Sequence, residues 1–222
     1  MATQRLISIA EVLRDAELGD LTRVLGEPRQ PYDLFGATGR LFELLASRGV
    51  SYVLVGGIAM LQYVEGRNTR DIDLIMSPAD LDRLTEFEVS SRDKDFARAS
   101  FEGVQVDLLL TANPVFELVR TQHAAQREFA ERSITCATPG GMVLLKLFAL
   151  PSLYRQGEFG RVGIYENDIA VLLERIPMDA SSLVATLESH MLPSDIQQIR
   201  EVLDDIRGRL ARFKGAAGVS TD

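Results

Sequence analysis

The sequence is poor in the residues that cross-link chains or bind zinc. It contains one cysteine, Cys136, and two histidines among 222 residues. A single cysteine forms no disulfide within the chain, and this set is too small for a four-ligand zinc site. Nothing in the composition requires an oxidising compartment, so we expect a cytoplasmic protein.

Long hydrophobic runs are also missing. Crossing a bilayer as a helix takes about 20 consecutive apolar residues, and the richest run, Gly141 to Leu150, is shorter and contains Lys146. The N-terminal residues carry spaced charges such as Arg5 and Glu11, where a secretory signal would have an apolar segment. We therefore expect no secretory signal and no membrane partner.

Positive charge is scarce, because 24 lysines and arginines face 32 aspartates and glutamates and give a net charge of −8. This balance argues against general, salt-driven binding of nucleic acid. The segments 120–132 and 200–214 hold enough arginine for a local basic groove, although a solvated helix face is the simpler interpretation of each. No Gly-x4-Gly-Lys-Ser/Thr run occurs, which excludes a P-loop kinase.

Apolar periodicity predicts a mixed front part followed by a helical back part. In the front part, helices are predicted for 5–26 (one or two short ones), 34–47, 58–64, a segment from Pro78 with Leu81, Leu84 and Phe87 inward, and a segment from Asn113. Strands are predicted for 51–55, 71–76 and 133–137, with a hairpin of 95–101 and 104–110 that turns at Glu102 and Gly103. The back part is predicted as helices 140–149, 165–175, 181–190 and 194–213. The corresponding regions are an N-terminal extension (1–30), a core (31–137), a helical region (138–214) and a frayed tail (215–222).

The most informative segment is a paired glycine followed by a paired acid. Gly56 and Gly57 end the strand 51–55, and Asp71-Ile72-Asp73-Leu74 lies on the next strand. Side chains alternate along a strand, so Asp71 and Asp73 share one face. Two adjacent carboxylates repel unless a cation lies between them, and Mg²⁺ prefers such oxygen ligands. The glycines, without Cβ atoms, would let a triphosphate approach the backbone N–H groups of the following helix.

Asp107 supplies a third acid in the middle of the apolar run Val104 to Leu110. A buried, unpaired charge there would be costly. On a strand beside Asp71 and Asp73 it would complete a three-acid cluster. Such a cluster could hold two metal ions about 3.5 to 4 Å apart.

These residues resemble the DNA polymerase beta-type nucleotidyltransferase superfamily, which has a Gly-Gly turn, Asp-x-Asp on a strand and a later strand Asp. Thr69 to Leu74 and Thr138 to Leu147 are further similar to the toxin-type (AbiEii-like) nucleotidyltransferases. The resemblance covers about residues 40 to 112 for the superfamily and extends more weakly to about 175. It implies an α+β nucleotidyltransferase fold, a small mixed sheet flanked by helices, with a C-terminal helical region.

The resemblance also implies roles for the matching residues. Asp71, Asp73 and Asp107 would bind Mg²⁺, with Asp107 also suited to deprotonating the acceptor hydroxyl, and Gly57 beside Gly56 would bind phosphate. The superfamily often has Ser at position 57, so one hydroxyl contact is missing. The toxin-type helices carry a basic residue and an acid near the site, for which Arg155 and Asp168 are candidates; a surface pair is the simpler interpretation of these two.

Two further cations are candidate phosphate ligands. Lys146 lies among apolar neighbours and either extends to the surface or points at the site to neutralise phosphate charge. Arg70, on the opposite strand face from Asp71, forms either a structural salt bridge or a phosphate contact.

The leading hypothesis is a Mg²⁺-dependent enzyme that transfers a nucleoside monophosphate from a nucleoside triphosphate to an acceptor hydroxyl. The acceptor is RNA such as tRNA, a protein, or a small molecule such as an aminoglycoside, and a toxin-type member would have a cognate antitoxin. The alternative is a non-catalytic regulatory or antitoxin protein that keeps the fold.

Overall fold

The structure, a computed structural model, describes residues 8–11, 13, 34–64 and 69–217. Contacts divide the chain into two compact units after Thr138. We call them the sheet unit and the helical unit. The predicted helices in 5–26 and the predicted loop around Gly66 lie largely outside the described residues.

The sheet unit alternates helices and strands. Its helices are α1 (Leu34–Ser47), α2 (Gly56–Met60), α3 (Pro78–Leu81) and α4 (Pro114–Gln122). Its strands are β1 (Tyr52–Val55), β2 (Ile72–Met76), β3 (Glu88–Arg92), β4 (Phe96–Phe101), β5 (Val104–Leu110), β6 (Ala124–Phe129) and β7 (Arg132–Ala137).

These strands form one mixed sheet in the order β3-β4-β5-β2-β1-β7-β6. The pairs β2–β5 and β1–β7 are parallel, and the other neighbours are antiparallel. The prediction of a mixed sheet flanked by helices is confirmed. The central strands β1 and β2 are almost wholly apolar and buried, whereas β5 alternates buried and half-buried residues, as expected of a strand with one open face.

The predicted hairpin is confirmed, and its turn determines its register. Glu102 and Gly103 have φ angles of +50° and +80°, the positive values that a two-residue type I′ turn needs. The turn places Phe101 opposite Val104 and, further along, Arg98 opposite Asp107.

The sheet unit differs from the prediction in three other respects. The helix from Pro78 ends at Leu81 after one turn, and Leu84 and Phe87 are buried from the turns that follow. Two strands, β3 and β6, were not predicted. Residues 120–132 are not a helix face beyond Gln122, because the chain there enters the β6–β7 hairpin.

The helical unit contains α5 (Pro139–Gln156), α6 (Phe159–Arg175), α7 (Ala180–Leu187) and α8 (Pro193–Ala217). The predicted helices after residue 138 are therefore confirmed, with α5 longer than expected because Pro151 is accommodated within it. Within the described ranges no helix combines the length and apolarity that a membrane crossing needs. The residues beyond Ala217 lie outside the described part.

Candidate active site

Two of the predicted acids lie side by side on neighbouring central strands of the sheet. Asp73 on β2 and Asp107 on β5 are register partners in a parallel pair, and both are half-buried. Register partners on neighbouring strands project to the same face. Their sequence neighbours project to the other face and are almost completely buried there, namely Ile72, Leu74, Val106 and Leu108. The apolar face therefore anchors both strands and presents the two carboxylates on the opposite side.

Asp71 lies one residue before β2 and is also half-buried. Its charge reaches the same arginine that contacts Asp107: the Arg98 pKa is raised by hydrogen bonding to Asp107, by the charge of Asp107 and by the charge of Asp71. The charges of Asp71 and Asp107 thus both act on Arg98.

The paired glycines hold the Asp73 carboxylate. Gly56 has φ +64°, and a Cβ added there would overlap this carboxylate and lie 2.7 Å from the Asp73 Cβ atom. The Gly57 N–H donates to Asp73 Oδ2 at 3.3 Å. A Cβ at Gly57 would lie 2.9 Å from the Thr69 Cβ atom. Because Thr69 fills this space, the serine that the superfamily often has at position 57 would not fit here.

Asp107 is held by a cation that the sequence analysis missed. Arg98 on β4 donates to both carboxylate oxygens, from Nε to Oδ1 at 2.8 Å and from Nη2 to Oδ2 at 3.3 Å. Gln105 adds a third donor, with Nε2 3.1 Å from Oδ2. The predicted Glu102-Gly103 turn contained the signal, since a two-residue turn there puts position 98 opposite position 107.

The three acids fit a magnesium-type ion in the kind of ligand that they offer. All three offer carboxylate oxygens, the ligand type that Mg²⁺ prefers, and the Asp73 carboxylate lies in a recess that any Cβ at Gly56 would fill. As the side chains lie, no three Asp, Glu, His or Cys residues of the described part form a ready ligand set. Arg98 engages both oxygens of Asp107.

The two cations predicted as phosphate ligands, Arg70 and Lys146, differ in their exposure to solvent. Arg70 is exposed just ahead of β2. Lys146 is in the helical unit, where it is only 6% exposed and contacts Asp168, itself 1% exposed, at 2.8 Å. The Lys146 Nζ atom also lies 4.4 Å from the centre of the Tyr165 ring. Of the two interpretations of Lys146, extension to the surface is therefore wrong.

Arg155 and Asp168 do not pair with each other, which corrects the predicted surface pair. Arg155 contacts Asp195 at 2.6 Å, with 60% of the arginine side chain exposed. Asp168 is instead the buried partner of Lys146.

The arginine-rich segments are largely neutralised within the chain. In 120–132, Arg120 pairs with Glu117 and Arg132 with Glu43. In 200–214 the same holds for the pairs Arg200–Glu188, Arg207–Asp204 and Arg209–Glu166. Each of these guanidinium groups already has a carboxylate partner, which reduces the positive charge that the two segments present.

Gly56→Ala tests the glycine recess. A left-handed backbone costs a non-glycine residue about 1 to 2 kcal/mol, and the overlap with Asp73 adds about 1 to 3 kcal/mol. Gly49→Ala is the matched control, because Gly49 has φ +59° with nothing within 4 Å of its added Cβ. Chemical denaturation should therefore show a clearly larger loss for Gly56→Ala than for Gly49→Ala. Equal losses would show that Asp73 does not occupy the recess.

Comparison with known proteins supports the fold. No protein-family model matches the sequence, and no curated protein matches it. Among solved structures, an antigenic nucleotidyltransferase-like protein from Paracoccidioides brasiliensis superimposes with a TM-score of 0.53 at 18% identity, over 78% of this chain and 88% of that one. The chain has a nucleotidyltransferase fold. The antibiotic-resistance factor ANT(2'')-Ia gives a TM-score of 0.47 at 13% identity, over 82% of this chain and 96% of that one.

Proposed function

We propose that this chain is a Mg²⁺-dependent nucleotidyltransferase, which transfers a nucleoside monophosphate from a nucleoside triphosphate to an acceptor hydroxyl. The observation that carries the proposal is the register pairing of Asp73 with Asp107, next to the glycine recess and within a nucleotidyltransferase fold. Acids brought together on one sheet face repel one another unless a cation lies between them.

In the proposed reaction the acceptor oxygen forms a bond to the α-phosphorus, and the bond from that phosphorus to the bridging oxygen of pyrophosphate breaks. Asp71, Asp73 and Asp107 would hold one or two Mg²⁺ ions, which when bound neutralise phosphate charge and make the hydroxyl more acidic. Asp107 is suited to accept the hydroxyl proton. The Gly57 N–H fixes the direction of the Asp73 carboxylate. Phosphate contacts by Gly56, Gly57, Arg70 and Lys146 remain part of the proposal on sequence grounds alone.

The charge of the chain favours a small or cationic acceptor over a polynucleotide. The net charge is −8, and the arginines of both basic segments are largely paired with acids. A polynucleotide would need several unpaired cations along its backbone. The toxin-type version of the proposal instead makes tRNA or a protein the acceptor and adds a cognate antitoxin that suppresses the activity.

An acceptor screen tests the proposed function. The purified chain is incubated with each of four α-labelled nucleoside triphosphates and Mg²⁺, and is offered cell RNA, cell protein or a panel of aminoglycosides and other small molecules. We expect one acceptor class to become labelled, with loss of labelling when Mg²⁺ is chelated. Failure to label any class, by protein shown to be folded, would contradict the proposal.

One observation favours the non-catalytic alternative. Arg98 already occupies Asp107, so a chain that never binds metal could use this pair to neutralise its third acid. The enzyme requires Arg98 to release Asp107 to a metal ion, and the non-catalytic protein does not. Metal binding by Arg98 variants therefore distinguishes the two functions.

A further inference from the structure

Arg98 is a cation built into the acidic patch by the hairpin register. It lies on β4 directly opposite Asp107, and its side chain is 57% exposed, against 26% for Asp107. Its neighbours Ala97 and Ala99 point to the other face and are buried. The strand therefore fixes the arginine backbone, while the guanidinium group lies largely exposed to solvent.

The contacts of Arg98 and Gln105 obstruct metal ligation by Asp107, since they take three of the roughly four lone-pair positions of its carboxylate. The guanidinium takes both carboxylate oxygens, and Gln105 takes a further position on Oδ2. A bidentate arginine–carboxylate pair has strong directional preference. A divalent cation at this carboxylate would also repel the guanidinium at short range. Metal and arginine therefore compete for one side chain.

We propose that Arg98 is a positioning residue that holds Asp107 in the metal-free chain and sets the affinity of the acidic patch for divalent cations. Metal binding then requires the guanidinium to release Asp107. This inference rests on the proposed role of Asp107 as a metal ligand. It adds a residue that touches neither metal nor substrate in that proposal and acts chiefly by holding Asp107.

The size of the effect follows from the exposure of the pair. Exposed ion pairs contribute about 0 to 1 kcal/mol. The bidentate geometry and the repulsion between guanidinium and metal place the Arg98–Asp107 pair at the upper end of that range. We expect Arg98→Gln to tighten binding of Mn²⁺ by about three- to tenfold. Arg98→Lys, which keeps the charge and loses the two-pronged geometry, should fall between Arg98→Gln and the unchanged chain.

Calorimetric titration of the full chain with MnCl₂ alone, without nucleotide, measures this. Arg92→Gln is the matched control, since Arg92 pairs with Asp82 at the exposed edge strand and its loss removes the same charge. Arg92→Gln should leave the Mn²⁺ affinity within about twofold of the unchanged chain. In the background of Asp107→Asn, the Arg98→Gln change should tighten binding less than it does in the unchanged chain, because the part of its effect that passes through Asp107 is lost.

Three outcomes would overturn the proposal: equal Mn²⁺ affinity in Arg98→Gln and Arg92→Gln, weaker binding in Arg98→Gln, or no binding by any variant. Thermal unfolding in chelator checks that Arg98→Gln is folded, and a misfolded variant is replaced by Arg98→Lys in the same comparison. The test is independent of turnover. Tightening without nucleotidyl transfer would support the role of Arg98 and contradict the proposed enzyme, whereas transfer without tightening would do the reverse.

Discussion

Asp73→Asn is expected to slow the proposed nucleotidyl transfer by about a thousandfold or more, because loss of one of the proposed metal-binding carboxylates removes several kcal/mol of transition-state stabilisation. Asparagine has the same shape and keeps an oxygen for the Gly57 N–H. It also removes one of three like charges from the patch. The free energy of unfolding should therefore change by less than about 1 kcal/mol.

The rate of incorporation of α-labelled nucleotide, at saturating Mg²⁺ and with the acceptor identified by the screen, measures this effect. Asp82→Asn is the control, since Asp82 is an exposed acid whose partner is Arg92. It should transfer at the unchanged rate. If the Asp73→Asn variant keeps more than about a tenth of the activity, Asp73 does not have the proposed role in the reaction.

Asp168→Ala is expected to destabilise the chain by about 3 to 5 kcal/mol, since it leaves the buried Lys146 ammonium without its carboxylate. Asp168 and Lys146 are 1% and 6% exposed and lie 2.8 Å apart. The Tyr165 ring, 4.4 Å from the ammonium, offsets part of this loss. Denaturant unfolding followed by circular dichroism gives the value.

Two further variants make this result specific. Lys146→Met with Asp168→Leu replaces the pair by apolar side chains and should recover most of the lost stability, because a buried pair contributes little net stability over a hydrophobic equivalent. Asp195→Ala breaks the exposed pair with Arg155 and should cost no more than about 1 kcal/mol. A loss for Asp168→Ala no larger than for Asp195→Ala would contradict the burial of the pair.

The fold was most predictable where buried positions carry a recognisable run of apolar residues. The central strands β1, β2 and β5 carry runs of apolar residues and were predicted, as was the hairpin turn at Glu102. The two strands that were missed, β3 and β6, are the edges of the sheet. Every residue of β3 is exposed, so no apolar alternation marks it as a strand.

The site was predictable to the level of the backbone and not beyond it. Alternation along β2 placed Asp71 and Asp73 on one face, but the parallel pairing of β2 with β5 arises from the tertiary fold. The partners of Asp107 and Lys146 depend on side-chain direction across different elements. The pairing of Arg98 with Asp107 could have been inferred from the predicted hairpin register. The pairing of Asp168 with Lys146 depends on how α5 packs against α6, which the sequence pattern does not give.

Anomalous diffraction tests the central claim most directly, namely that Asp73 and Asp107 bind the same divalent cation site. Crystals are soaked with MnCl₂ and a nucleoside triphosphate whose α,β linkage resists hydrolysis, and data are collected at the manganese edge. The account predicts an anomalous peak within about 2.0 to 2.4 Å of carboxylate oxygens of both residues, with Arg98 released. Saturating Mn²⁺ with no peak there, and Asp107 still paired with Arg98, would contradict it.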